Sequence, residues 1–344
     1  MDGGFSGMKV LMVGVGGIAQ RHMRNLQAKF NNVQFIAYRK LRRKTVVTED
    51  LQVEENVNVE EKFNLEVFED LNEALAQKPE IAFICNPNNA HIPTAIEAAR
   101  AGCHLFIEKP LSHSLEGVDE LMQIVDEKQL IAFVAFQLRY HPGYQLLQEK
   151  LKSGVIGDLI SVRAEVGEYL PGWHKYEDYR EMYAARKDLG GGVVITQIHE
   201  LDYLYGLFGR PEKIMACGGQ LSDLEVDVED SVDILMQFKY KTRILPVSVH
   251  MDYVQRPPSR YCRIIGTRGV LTLDFVQTVL MFVSSEGKKE EISFKDFNRN
   301  QMFIDELNHF FECMDTKKQP LTDLKAGKVS LEMAINIQKE IGYV

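Results

Sequence analysis

The chain lacks several features that define specialised protein classes. Its five cysteines form no C-x-x-C pair, and no apolar run approaches the ~20 residues that a transmembrane helix needs. Scattered thiols in odd number are typical of a reducing compartment and indicate no metal site. The net charge is −9, so no overall basic field attracts nucleic acid or an anionic membrane. We therefore expect a cytoplasmic protein without nucleic-acid or membrane partners.

What remains is the composition of an ordinary globular protein. Apolar residues make up 45% of the chain and charged residues 26%, which is typical of a folded domain with a buried core. The length of 344 residues is enough for about two domains. The first eight residues lack the apolar core of a signal peptide.

A glycine-rich turn near the start connects a strand pattern, Lys9–Val13, to a helix pattern. Its spacing is G-x-G-x-x-A. Gly14 predicts a tight turn, Gly16 lets a pyrophosphate approach the backbone, and the small Ala19 lets the helix pack against the strand. The amides at the helix N-terminus then favour phosphate. A purely structural turn has the same spacing, but its place at the first strand of a βα series favours a dinucleotide. The expected cofactor residues here are Gly14, Gly16, Gly17, Ile18 and Ala19.

The end of the second predicted strand, residues 33–38, bears on the choice of cofactor. NAD-dependent enzymes usually carry an acidic residue there that accepts hydrogen bonds from the ribose. This chain has Tyr38 followed by five cations within six residues. We therefore favour NADP, with Arg39 and Arg42 holding the 2′-phosphate beside Tyr38. A solvated basic loop is the alternative, and a nucleic-acid or nuclear-localisation patch is a third reading that the acidic chain argues against.

Further apolar runs follow at residues 81–85, 105–107 and 131–136, with helix patterns between them. The acidic, non-periodic residues 45–65 predict a surface insertion. Strands that alternate with helices through short links indicate right-handed βαβ units and a parallel sheet. The loops after these strands then lie at one edge, where ligands bind. Lys109 stands at such a strand end, although an ordinary surface salt bridge is the alternative for this cation.

Two segments carry a resemblance to a known family. The loop C-N-P-N-N-A-H from Cys85 and the segment A-G-C-H-L-F-I-E-K-P ending at Pro110, together with the glycine turn, resemble the Gfo/Idh/MocA oxidoreductases. The similarity runs from Lys9 to about Ile337. It implies that Lys109 lies beside the nicotinamide and the reacting substrate carbon. Further implied cofactor residues are Asn86, Pro87, Asn88, His91, Glu108, Lys109 and Arg139.

After residue 159 the apolar period changes to two. Val162, Ala164 and Val166 alternate with polar residues, and the same pattern returns at residues 232–238 and 247–253. Alternation indicates a mostly antiparallel sheet with one covered face. In the resembling family the free face carries the subunit contact, so we expect a homodimer or homotetramer through this sheet.

An aromatic stretch, residues 167–186, separates the first two of these strands. Aromatic faces and hydrogen-bonding edges together suit a sugar ring, and the fork of Arg180 suits a carboxylate or phosphate. A capping loop packed on the sheet is the alternative reading. The expected substrate residues in the whole chain are Lys109, Tyr140, Trp173, His174, Tyr179, Arg180, Thr196 and His199.

A helix pattern over residues 193–203 follows three glycines and presents Thr196, His199 and Asp202 on one face. The family pattern has an aspartate three or four residues before the histidine, where this chain has Ile195 and Thr196. His199 is nevertheless the expected proton-transfer group, with Lys109 opposite, although a lone helical histidine is more often structural. We expect Asp202 to cap or brace the helix.

These observations predict an α/β Rossmann domain with a parallel sheet and an α+β domain with a large, mostly antiparallel open sheet. The expected boundaries are residues 8–136, 137–320 and a C-terminal helix, 321–344, that returns to the first domain. The expected function is hydride transfer between NADP (or NAD) and a sugar, sugar derivative or polyol. The alternatives are an NAD-dependent glycoside hydrolase that uses transient oxidation and a non-catalytic NADP-binding regulatory protein.

Overall fold

The computed structural model describes residues 7–40, 45–49, 52–54, 56–174 and 176–343. The chain divides into two compact units. The first contains the residues up to Ala135 together with Phe303–Lys328, and the second contains Phe136–Met302 together with the residues from Val329 onward.

The first unit alternates strands and helices, and its strands form one parallel sheet. In chain order its elements before residue 136 are β1 (Lys9–Val13), α1 (Gly17–Lys29), β2 (Gln34–Tyr38), β3 (Val46–Val47), β4 (Val53–Glu54), α2 (Val59–Phe63), β5 (Glu66–Phe68), α3 (Leu71–Ala76), β6 (Ile81–Ile84), α4 (His91–Arg100), β7 (His104–Glu108), α5 (Val118–Glu127) and β8 (Ala132–Ala135).

The remaining elements include a second, larger sheet. In chain order they are α6 (Pro142–Lys152), β9 (Leu159–Gly167), α7 (Val193–Thr196), α8 (His199–Phe208), β10 (Lys213–Gly219), β11 (Ser231–Tyr240), β12 (Arg243–Asp252), β13 (Ser259–Gly266), β14 (Gly269–Asp274), β15 (Val279–Ser284), β16 (Lys289–Ser293), α9 (Asn300–Thr316) and α10 (Leu324–Glu340).

The parallel sheet has the strand order β5-β2-β1-β6-β7-β8, and every neighbouring pair is parallel. The order reverses at β1, where Val13 pairs with Tyr38 on one side and with Ile84 on the other. The chain leaves β1 and β6 in opposite directions at this point, which opens a crevice beyond the carboxyl ends of the strands. The predicted Rossmann architecture is confirmed.

The segment predicted as a surface insertion contains four buried residues among those that the structure describes, 45–49, 52–54 and 56–65. Val46 and Val47 in β3 and Val59 and Phe63 in α2 are all buried. The side chain of Gln20 on α1 holds the segment, because it donates to the carbonyl of Thr45 (3.0 Å) and accepts from the amide of Val47 (2.8 Å). These four buried residues were not predicted, because the segment is polar overall and their spacing forms neither a helix nor a strand period.

The second sheet has the order β10-β11-β12-β9-β13-β14-β15-β16, and only the β12–β9 pair is parallel. This confirms the large, mostly antiparallel sheet. The alternation in the sequence sorts residues between its faces. Along β11, Val232, Ile234 and Phe238 are buried, whereas Asp233 and Leu235 are exposed.

The two C-terminal helices each contribute residues to both units. The Phe310 ring of α9 packs edge-on against Phe106 and Phe133, with centroids 5.5 and 6.1 Å apart, so this helix completes the core of the first unit. In α10, Gly327 belongs to the first unit, whereas Gln338 belongs to the second and donates to Glu229. The division between the two units falls inside α10, between Lys328 and Val329.

Candidate active site

The glycine turn lies where β1, β2 and β6 end together. Gly14 has φ of +86°, and a Cβ there would stand 2.8 Å from the carbonyl oxygen of Cys85. Its amide donates to the carbonyl of Tyr38 at 3.0 Å. Glycine is therefore required at this position by both the dihedral angle and the space.

Gly16 differs from Gly14, because no atom lies within 4 Å of the position that its Cβ would take. It precedes α1, and no side chain caps the first turn of that helix. Amides of the first turn and open space in front of them form a cradle for a phosphate. Gly17 and Ile18 are half-buried in this turn, and Ala19 is fully buried. The residues present therefore fit the pyrophosphate of a dinucleotide.

The loop after β6 is held by His91. The ring nitrogens of His91 lie 2.8 Å from the carbonyl oxygens of Pro110 and Asn86, and burial lowers the pKa of this histidine. His91 and Asn88 are buried, and the side-chain amide of Asn86 donates to the carbonyl of Ala90 and to the hydroxyl of Thr94. His91, which was expected to face the cofactor, therefore fixes the loop instead. Pro87, another expected cofactor residue, is exposed on the surface of this loop.

Glu108 has a partner that sequence reasoning missed. Its carboxylate oxygen lies 2.6 Å from Nε2 of His22 on α1, and both residues are buried. The rings of Phe83 and Phe106 pack against His22. Glu108 thereby connects the strand end before the half-buried Lys109 to the helix of the glycine turn. The only signal in the sequence was a histidine on the buried face of α1, which no periodicity could assign to a partner.

Of the predicted 2′-phosphate ligands, Arg39 is already paired with a carboxylate of the protein. Arg39 is 5% exposed, and its guanidinium forms an ion pair with Glu60 on α2. Tyr38, just before it, is half-buried. The prediction for Arg42 lies outside the described residues.

In the second unit, the predicted helix over residues 193–203 is broken. It forms α7 and α8, with Gln197 and Ile198 between them. Thr196 and His199 are 1% and 3% exposed, and the His199 ring stands edge-on to Phe136 at 6.0 Å. Every residue from 193 to 204 is buried, so the apolar pattern gave no sign of the break.

Glu229 fixes the entry to these helices and was also missed. Its backbone carbonyl accepts from the amide of Val193 (3.0 Å), and its carboxylate accepts from the amide of Val194 (3.3 Å) and from Gln338 (3.0 Å). Gly192 has φ of +112°, and a Cβ there would collide with this carboxylate. Burial raises the pKa of the Glu229 carboxyl to about 7.

Replacement of Glu229 by glutamine should change how stability depends on pH. The folded-state pKa of about 7 lies above the value of 4.5 for an exposed glutamate, so this group stabilises the fold fully below pH 4.5 and loses that contribution as the pH rises through 7. Glu229→Gln, which cannot ionise, should gain up to about 3 kcal/mol relative to the unmodified protein between pH 5 and pH 8. Urea unfolding at both pH values measures this, with Glu225→Gln as an exposed control. Parallel curves for all three proteins would contradict it.

Arg139 was expected to contact the cofactor, but the structure pairs it with Asp202. Its Nε and Nη2 atoms donate to the two carboxylate oxygens at 2.6 and 3.0 Å, and Nη1 donates to the Tyr144 hydroxyl at 3.2 Å. Burial alone would lower the pKa of Arg139, but Asp202 raises it above its usual value. Asp202 thus braces α8, as expected. Tyr140, one of the expected substrate residues, follows Arg139 in the sequence and is buried.

The aromatic stretch carries a small ring cluster. Trp173 stands edge-on to Tyr253 at 5.5 Å, and His174 stacks on Tyr176 at 5.2 Å while its Nδ1 lies 2.7 Å from Glu177. The amide of Glu225 donates to the Tyr179 hydroxyl. Arg180 is exposed and pairs with two carboxylates, Asp178 and Glu225, so the anion partner expected from a substrate is already supplied by the protein.

Two classes of feature are absent from the part of the chain that the structure covers. No group of three or more histidine, cysteine, aspartate or glutamate side chains there could hold a metal ion. Over the same ranges, no helix combines the length and hydropathy of a membrane span.

Comparisons with known proteins agree with this architecture. A family described as "Oxidoreductase family, NAD-binding Rossmann fold" matches residues 8–136, and the "GFO/IDH/MocA C-terminal domain" matches residues 144–272. The chain is 27% identical over 298 residues to trans-1,2-dihydrobenzene-1,2-diol dehydrogenase of Mus musculus, covering 82% of this chain and 84% of that protein. It is 23% identical over 347 residues to myo-inositol 2-dehydrogenase of Thermotoga maritima, covering 97% and 96%.

Solved structures share the fold. Levoglucosan dehydrogenase in complex with NADH and levoglucosan superposes with a TM-score of 0.80 at 18% identity, over 97% of both chains. UDP-N-acetylglucosamine 3-dehydrogenase from Acidithiobacillus ferrooxidans superposes with a TM-score of 0.76 at 19% identity, over 98% of both chains. The two family matches together cover most of the sequence. The chain therefore belongs to the Gfo/Idh/MocA family of oxidoreductases and is an NAD(P)-dependent dehydrogenase.

Proposed function

We propose that the chain transfers hydride between a nicotinamide dinucleotide and the CH–OH or keto carbon of a sugar, sugar derivative or polyol. The observation that carries this proposal is the open cradle at Gly16, at the point where the strand order of the parallel sheet reverses. The names of two relatives, a diol dehydrogenase and an inositol dehydrogenase, support a hydroxylated small molecule as substrate. The bound nicotinamide supplies the hydride chemistry, and the protein supplies alignment and proton transfer.

Lys109 and His199 are the two catalytic residues of the proposal. The Lys109 ammonium holds the reacting oxygen and stabilises the negative charge that develops on it. The His199 imidazole accepts the hydroxyl proton during oxidation and returns it during reduction. Burial of His199 excludes water from that proton. Where the family pattern has an aspartate three or four residues before this histidine, this chain has Ile195 and Thr196.

The aromatic stretch is the proposed substrate platform. The stacked faces of His174 and Tyr176, with Trp173 nearby in the chain, provide apolar surface for the carbon face of a sugar ring. The half-buried Tyr179 and the exposed Arg180 lie on the same stretch and carry hydrogen-bonding groups that suit polar substituents. A substituent that binds Arg180 would share the guanidinium with Asp178 and Glu225.

For the cofactor, we infer that the site takes NADP and also accepts NAD. Arg39 at the end of β2 supports NADP, since a guanidinium matches the geometry of a 2′-phosphate. Its ion pair with Glu60 supports NAD, because a carboxylate at this end of the sheet accepts hydrogen bonds from the ribose hydroxyls.

We also propose a cytoplasmic homodimer or homotetramer that associates through the outer face of the larger sheet. Exposed apolar side chains on its strands support this, among them Leu235 on β11, Ile244 on β12 and Met281 on β15. The five free cysteines support a reducing compartment. A molar mass of one chain in sedimentation equilibrium would contradict the assembly.

Two glycine variants test the dinucleotide cradle. Gly16→Ala should leave the free energy of unfolding unchanged, because its Cβ meets no protein atom, but raise the Kd for the dinucleotide about tenfold or more by standing in the path of the phosphates. Gly14→Ala should instead cost ~1–3 kcal/mol of stability, because of its positive φ and the contact with Cys85. Nucleotide fluorescence and urea unfolding measure the two quantities. Unaltered dinucleotide binding by Gly16→Ala would contradict the assignment of the phosphate cradle to Gly16.

The reaction itself is tested with a substrate panel. The protein is supplied with NADP or NAD and a series of polyols, inositols and nucleotide sugars, and the absorbance of reduced nicotinamide is followed. Turnover on any of them supports the proposal. Tight dinucleotide binding without turnover on any would favour a regulatory protein, the reading to which Thr196 in place of an aspartate points.

A further inference from the structure

The ion pair between Arg39 and Glu60 joins two segments that lie 21 residues apart. Arg39 directly follows β2, and its amide donates to the carbonyl of Phe68 in β5 at 3.2 Å. The position of its backbone is therefore fixed by the parallel sheet. Its side chain is 4% exposed, so the guanidinium has little freedom to turn toward a different anion.

The backbone of Glu60 is held by its own helix. Glu60 lies in the first turn of α2, where its backbone amide donates a hydrogen bond to the side-chain oxygen of Asn58 at 3.0 Å. Val59 and Phe63, on either side of it in the helix, are buried in the first unit. The Glu60 side chain remains 28% exposed, so the carboxylate can accept hydrogen bonds from a ligand as well as from Arg39.

We propose that Glu60 is a specificity-determining residue that keeps NAD competitive with NADP at this site. Its carboxylate replaces, from α2, the acidic side chain that the end of β2 lacks. A 2′-phosphate that reaches Arg39 must either displace this carboxylate or lie beside it, and two anions at close range repel each other. The 2′-hydroxyl of NAD meets no such penalty and can donate to Glu60. This inference rests on the proposed dinucleotide site.

The test is equilibrium binding of NADH and NADPH to the full chain, followed by nucleotide fluorescence without any substrate. Glu60→Gln keeps the shape of the side chain and removes its charge. We expect it to shift the ratio of the two Kd values about tenfold toward NADPH, and Glu60→Lys to shift it further in the same direction. Arg39→Ala should shift the ratio toward NADH.

Glu61→Gln is the matched control, since it removes the same charge from the same helix at an exposed position. We expect it to leave the ratio unchanged. An unchanged ratio in both Glu60 variants, with both nucleotides still bound, would overturn the role of Glu60 while leaving the dinucleotide site intact. Failure of every protein, the unmodified one included, to bind either nucleotide would overturn the site and this inference together. Equal shifts in Glu60→Gln and Glu61→Gln would reduce the effect to net charge and also overturn it.

Discussion

Replacement of Lys109 by methionine, or of His199 by alanine, should lower kcat by about 10²–10⁴-fold on any substrate that the panel identifies. Methionine keeps most of the length of lysine but cannot stabilise charge on the reacting oxygen, and alanine cannot accept the proton. The Kd for the dinucleotide should change little, because the proposed phosphate cradle lies at Gly16, after β1. Steady-state kinetics and nucleotide fluorescence separate the two effects.

The control for charge is Lys128→Met, at the end of α5, where an exposed lysine is removed from the same unit. It should retain full turnover. Near-normal kcat in both the Lys109 and the His199 variants would remove the proposed mechanism, even if the dinucleotide site survives.

The second large effect is expected on stability, from Asp202→Ala. This change leaves the guanidinium of Arg139 buried without its carboxylate, and breaking a buried pair in this way costs ~3–5 kcal/mol. Urea unfolding monitored by circular dichroism measures the loss. Gly206 also faces this guanidinium with no room for a Cβ, so the surrounding structure cannot relax easily around an altered pair.

Two further proteins separate burial from charge. Asp178→Ala breaks an exposed pair with Arg180 and the hydrogen bond from the Arg180 amide, and should cost no more than ~1 kcal/mol. The double variant Arg139→Met with Asp202→Leu replaces the pair by apolar groups and should recover much of the lost stability. If Asp202→Ala were no less stable than Asp178→Ala, the buried pair would not contribute to the fold as described.

The sequence was sufficient to predict the elements whose signals are local. Gly14 is one example, because the tight turn after a strand requires its positive φ. Alternation along β11 predicted which side of the larger sheet is buried. Each of these signals depends on residues within a few positions of one another.

The polar pairs that shape the site could not be predicted in the same way. His22 and Glu108 are 86 residues apart in the chain, and Arg139 and Asp202 are 63 apart. Periodicity shows that such a side chain faces inward, but it does not identify the partner. The local sequence favours a phosphate as the partner of Arg39, because its neighbours in the chain are cations. Its partner in the structure, Glu60, comes from another segment. Physical pairing of this kind requires the tertiary structure.

The division of the chain has a practical consequence for expression of its parts. A gene fragment that stops after β8 encodes the whole parallel sheet but not α9, so the stacked rings of Phe106 and Phe133 would lose their cover by Phe310. Such a fragment would present a bare aromatic surface and tend to aggregate. A discontinuous unit of this kind is better isolated by circular permutation, with residues 303–328 fused ahead of β1, than by truncation.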